Sequence, residues 1–173
     1  MKEVRNNIYI SLRKENGRTF IETLSVLLIL ILLGVGCFSL SMSTFGAYQR
    51  LNDSKEKNTE LRVANSFVMN KIRQNDIKGS LDVKSHPITG NNALVIYENI
   101  NGEEYETWIF HNSGYLMEAL VLKNEEPSID VSQTIAKVDS FQIDYNIIDH
   151  MIFTSVGING IKPYNSVIKI RAK

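Results

Sequence analysis

Three histidines, His86, His111 and His150, are the first residues to weigh for metal or acid–base chemistry. They stand far apart in the chain and show no ligand spacing such as H-x-x-x-H. Each fits a strand-end or turn position. Glu125, Glu126 and Asp130 gather around Pro127 as an acidic loop, but the EF-hand pattern that would make it a calcium site is missing. A solvated loop accounts for it. The chain has no Gly-rich phosphate loop, and Lys162, Lys169, Arg171 and Lys173 are too few for a nucleic-acid stripe. The expectation is a protein that is not an enzyme, holds no cofactor or metal, and makes no nucleic-acid contact. The spacing that does carry chemistry lies earlier. Glu22 stands at the very edge of a long apolar run. An ionisable group in a hydrocarbon setting is costly and normally has a partner.

The apolar run explains what must position that carboxylate. Bulk charge is uninformative, because 19 basic residues balance 19 acidic ones over 173 residues. Locally the balance is uneven: Lys2, Arg5, Arg13 and Lys14 mark the first stretch, and no charge falls between Glu22 and Arg50. From Thr23 to Met42 the sequence TLSVLLILILLGVGCFSLSM is about 20 residues long, enough to cross a hydrocarbon core of about 30 Å as a helix. Its Leu, Ile, Val and Phe side chains favour insertion by roughly 6 kcal/mol at about 0.5 kcal/mol each. The basic flank predicts a cytoplasmic N-terminus and an extracytoplasmic C-terminal domain. Cys37, the single cysteine, lies inside this run, so the remainder cannot form an internal disulfide.

The stretch Gly17-Arg18-Thr19-Phe20-Ile21-Glu22 resembles the cleavage site of type IV prepilins. It has a short basic leader ending in Gly, four residues, a Glu, and then about twenty apolar residues. The resemblance implies cleavage after Gly17 by a prepilin peptidase, methylation of the new amine on Arg18, and retention of the apolar helix. Glu22 is then the assembly carboxylate, neutralising the amine of a neighbouring subunit in a low-dielectric bundle. Arg18 stands where the family usually has Phe, and Ser39 where major pilins often carry a helix-breaking Pro. Both departures suit a minor pilin. The implied partners are other pilin-like subunits, membrane lipid and the inner-membrane assembly machinery, in a pseudopilus serving DNA uptake or protein secretion. The alternative is an ordinary signal sequence on a secreted or membrane-anchored binding protein, since Ser39 to Ala47 offers small residues for a signal peptidase.

The elements follow. Leu61, Ala64, Val68 and Ile72 recur at helical spacing, joined by Phe67, and Gly79 is the expected helix stop. Strands are expected at 93–100 and 104–111 around Asn101-Gly102, a strong hairpin signal, then at 115–122, 151–158 and 167–171. Phe141, Ile143, Tyr145 and Ile147 alternate with polar residues, as in a strand with one buried face. Trp108 is expected in the core. The fold class is α+β, a pilin-like fold with a long N-terminal transmembrane helix packed on a small antiparallel β-sheet. The divisions are a leader at 1–17, a helix at 18–78 (membrane part about 20–45, soluble part about 46–78), and an extracytoplasmic β domain at 79–173. The order of elements and the run TWIFHNSGYLMEAL also resemble minor pseudopilins of the competence and type II secretion kind.

Overall fold

In the computed structural model the backbone is described for residues 2–171 and the side chains for residues 19–171. Helix α1 (Lys2–Gln74) comes first. Eight strands follow: β1 (Leu81–Ser85), β2 (Asn92–Ile100), β3 (Glu103–Asn112), β4 (Tyr115–Leu122), β5 (Gln133–Lys137), β6 (Ser140–Asn146), β7 (Met151–Gly157) and β8 (Tyr164–Lys169). The chain forms two compact units whose boundary, between Asn52 and Asp53, falls within α1. The class is α+β, with the helix packed on antiparallel sheets.

In the second unit the strands divide between a five-stranded sheet, in the order β1-β2-β3-β4-β5, and a three-stranded sheet, β6-β7-β8. A single small sheet was expected; two meanders form instead. Every connection is between sequence neighbours, so each pairing closes a short loop. The β2–β3 turn is Asn101-Gly102, with φ of 56° and 92°. Positive φ at both positions is what a twist-matched two-residue hairpin requires, and Asn-Gly supplies it most cheaply. Ser113-Gly114 repeats the arrangement between β3 and β4.

The expected helical face is the centre of the core. Leu61, Ala64, Val68 and Ile72 are all fully buried, with Phe67 packed beside them. They join Leu94, Ile96, Ile109 and Leu116 from the larger sheet and Phe141, Ile143, Ile152 and Val156 from the smaller one. The Lys71 ammonium reaches Glu118 on β4 at 2.6 Å and lies over the Phe67 ring, tying the helix to the larger sheet. The helix stops at Gln74, not near Lys78. Asn75 donates its side-chain amide back to Lys71 O, and Asp76 accepts the Arg171 N–H. Those bonds, one local and one to the chain leaving β8, hold the chain where it leaves the helix before Gly79, which then takes φ +78° in the following turn.

A second cluster fills the opposite face of the larger sheet: Ala93, Val95, Trp108, Phe110, Met117, Ala119 and Val121, with Tyr97 and Ile129 partly buried against it. Trp108 is in the core as expected, on this second face. Strands β1 and β5 were not foreseen. Both are five-residue edge strands, and β5 joins β4 through a register shift at Leu116/Met117.

Candidate membrane and assembly segment

The side chains of α1 from Phe20 to Leu51 present apolar surface on every side. The large hydrophobic residues in this stretch are each 53–71% exposed. Such a helix is hydrophobic all round and therefore belongs in an apolar surrounding. It is the one helix among the described residues long and apolar enough to cross a membrane. Its few hydroxyls suit that solvent. Thr23 Oγ1 donates to Thr19 O and Phe20 O, Ser25 Oγ to Ile21 O, Ser41 Oγ to Cys37 O and Thr44 Oγ1 to Leu40 O, all at 2.8–3.0 Å. A hydroxyl bonded to the preceding helical turn can enter hydrocarbon without an unpaired donor. Glu22 lies on the exposed surface at the start of this stretch. Gly17 and Arg18, the residues of the expected cut, lie outside the described side chains.

The histidines are not brought together. His86 follows β1 and is buried, its ring stacked on Phe110 at 3.9 Å and edge-on to Trp108. Its Nδ1 accepts the N–H groups of Ile88 and Thr89, holding the loop that caps the second cluster. His111 Nε2 lies 3.0 Å from Val138 O. His150 sits in the β6–β7 turn with φ 53°. Among the described residues no group of three or more His, Cys, Asp or Glu could hold a metal ion, and Glu125, Glu126 and Asp130 are exposed.

Burial lowers the His86 pKa below its ordinary value of 6.5. A group held neutral in the fold but protonated when unfolded gives stability that is present above pH 6.5 and lost as pH falls through its lowered folded value. The wild-type melting temperature should therefore drop between pH 7 and pH 5 more than that of His86→Asn. Asparagine keeps an acceptor for Ile88 and Thr89 and cannot titrate. Parallel melting curves for the two proteins across that range would show that His86 is not responsible.

One feature escaped the sequence. The polar end of the larger sheet forms an open cleft of about 600 Å³ bounded by Lys84, Tyr97, Glu104, Glu106, Lys123 and neighbours. Glu106 is buried there, accepting from Trp108 Nε1 at 3.1 Å and facing Lys84 at 3.9 Å. Tyr97, over whose ring the Lys84 ammonium lies at 5.0 Å, and the charges of Glu106 and Asp82 raise the Lys84 pKa despite partial burial. Glu104, at 2.6 Å, does the same for Lys123. Its lysines are thus already engaged by its own acids and by Tyr97.

Residues 59–156 match the model of a domain of unknown function, DUF4860. No curated protein matches the chain, and no solved structure does. The matched region takes in the buried helical face, the whole five-stranded sheet, strand β6 and β7 up to Val156. It covers more than half of the chain, which therefore belongs to the DUF4860 family.

Proposed function

We propose that this chain is a structural, pilin-like subunit, a minor pseudopilin or minor pilin. It is anchored by a single pass with its N-terminus in the cytoplasm and its α+β unit outside. A prepilin peptidase cuts it after Gly17, and it assembles with other pilin-like subunits, through the inner-membrane machinery, into an envelope-spanning fibre for DNA uptake or protein secretion. The observation that carries this reading is the pairing of two features. An acidic residue with the Gly-x-x-x-x-Glu spacing opens a helix that is apolar on all sides, and the same helix supplies the core face of the folded unit. A signal peptidase cut within Ser39 to Ala47 would remove Glu22 and most of the apolar stretch while leaving Leu61, Ala64, Val68 and Ile72 in place. The pilin-like reading instead gives Glu22 and the apolar stretch a use in the mature protein.

Processing is the direct test. Chain extracted from membranes of cells containing the peptidase should begin at Arg18 by N-terminal sequencing or intact mass. A mature start between Ser39 and Ala47 would identify an ordinary secretory signal and overturn the proposal.

A further inference from the structure

An asparagine followed by glycine can close on its own chain. The glycine nitrogen attacks the side-chain amide carbon, and no Cβ on the glycine obstructs the approach. The sequence holds three such pairs, Asn16-Gly17, Asn101-Gly102 and Asn159-Gly160. The first lies outside the described side chains. The other two both read Ile-Asn-Gly and both sit in exposed turns, with φ of 92° at Gly102 and 85° at Gly160. What holds them is different.

Between β2 and β3 the nucleophile is engaged. Asn99 Oδ1 accepts the Gly102 N–H at 3.1 Å, and Ile100 pairs with Glu103 across the turn. Attack at Asn101 must break that hydrogen bond inside a closed hairpin. Between β7 and β8 the nucleophile is available. Among the described residues no group accepts the Gly160 N–H, and the turn closes through Ile161 N–H to Ile158 O at 3.1 Å. Lys57 Nζ, on helix α1, donates to Asn159 O at 3.4 Å. That oxygen belongs to the same peptide group as the Gly160 nitrogen. When the nitrogen loses its proton, peptide resonance shifts negative charge onto the oxygen. An ammonium donating to it stabilises that anion. Asp139 acts on the preceding peptide group instead, accepting Asn159 N–H at 2.7 Å.

We propose that Asn159 is a site of spontaneous deamidation and that Lys57 activates it. Water or hydroxide takes the Gly160 N–H proton, and the nitrogen forms a bond to Asn159 Cγ. The Cγ–Nδ2 bond breaks, and ammonia leaves after taking a proton from water. Water then opens the cyclic imide at either carbonyl. The product is aspartate or its β-linked isomer, so the net change is amide and water to carboxylate and ammonium. Position 159 gains a negative charge beside Asp139 and within reach of Lys57. The β-linked isomer also adds one backbone carbon to the turn leading into β8. The proposal goes beyond the pilin-like reading and does not rest on it, since Lys57 and Asn159 follow Gly17 and the Ser39–Ala47 stretch alike.

The test incubates the full chain, extracted from membranes in detergent, at mildly alkaline pH. Mass spectrometry of its peptides then reads amide loss at each Asn-Gly pair. Asn159 should convert about tenfold faster than Asn101, combining the hydrogen bond at Gly102 with the Lys57 contact. Lys57→Gln should slow Asn159 about two- to fivefold, the worth of an exposed charge contact, and leave Asn101 unchanged. Lys57→Arg, which still donates to the carbonyl, should keep the wild-type rate. In denaturant the two sites should converge, because each is then an Ile-Asn-Gly segment with no fold around it. An unconverted Asn159, or Asn101 converting as fast in the folded chain, would overturn the site. A difference of the same size in denaturant would overturn its structural origin. Equal rates at Asn159 in wild type and Lys57→Gln, or a matching loss in Lys57→Arg, would overturn the activation by Lys57.

Discussion

Val68→Asp should leave the α+β unit largely unfolded at 25 °C. Val68 is fully buried in the centre of the helical face, among Leu61, Ala64 and Ile72 and the inward residues of both sheets. The substitution removes about 1.5–3 kcal/mol of side-chain burial. It also places a carboxylate where it has no partner, at a further cost of several kcal/mol. Against a typical domain stability of about 5–15 kcal/mol, this is most of what holds the unit together. Leu61→Ala, a pure cavity mutation, should cost about 2–5 kcal/mol and lower the melting temperature without abolishing the transition. Circular dichroism melts of the detergent-extracted chain measure both. If Val68→Asp melts cooperatively within a few degrees of wild type, the helix does not pack on the sheets through this face.

At Glu22 the effect should fall on assembly and spare folding. Glu22→Ala and Glu22→Gln should insert at least as well as wild type, because removing a charge eases transfer into hydrocarbon. Both should fold normally, since among the described residues the buried side chains of α1 begin at Leu61. If the chain is the pilin-like subunit proposed above, incorporation into the fibre should fall at least about tenfold, because a neighbouring amine would lose its partner in a low-dielectric bundle. Glu22→Lys should be worse than either, adding repulsion to the lost attraction. Arg18, four residues away in the chain, is a second cation that can compete for Glu22 and soften the alanine effect. Crosslinking between subunits, or co-purification with partner pilin-like proteins, is the readout. Wild-type incorporation of all three variants would remove Glu22 from the assembly contact.

These two cases mark what the sequence discloses and what it hides. The Leu61–Ile72 stripe was legible because one face of the helix is buried and the other wet, which imposes the helical period on residue type. The alternation at Phe141, Ile143 and Tyr145 was legible for the same reason at period two, whereas Ile147, expected on the same buried face, falls beyond the end of β6 in the turn and is exposed. Strand β2 gave no such signal. Ala93, Leu94, Val95 and Ile96 are all buried, alternately in the two clusters, so the run is continuously apolar and says nothing of faces. That is why the second cluster was missed. Strands β1 and β5 are short edges with few apolar positions, too brief for a period to register. His86 looked like a turn residue and is one, but the stacking on Phe110 that buries it depends on a partner 24 positions away.

The order of elements along the chain has a kinetic consequence. Helix α1 is synthesised ahead of β1 to β8, and its buried face is complete in sequence at Ile72, before the first of those strands exists. Within each sheet, every later strand pairs with the one made just before it. No strand must wait for a distant partner, and sheet closure stays local, the regime in which folding is fast. A chain emerging one strand at a time can therefore zip onto a template already in place. Its apolar strand faces are covered nearly as soon as they appear, which leaves little time for aggregation.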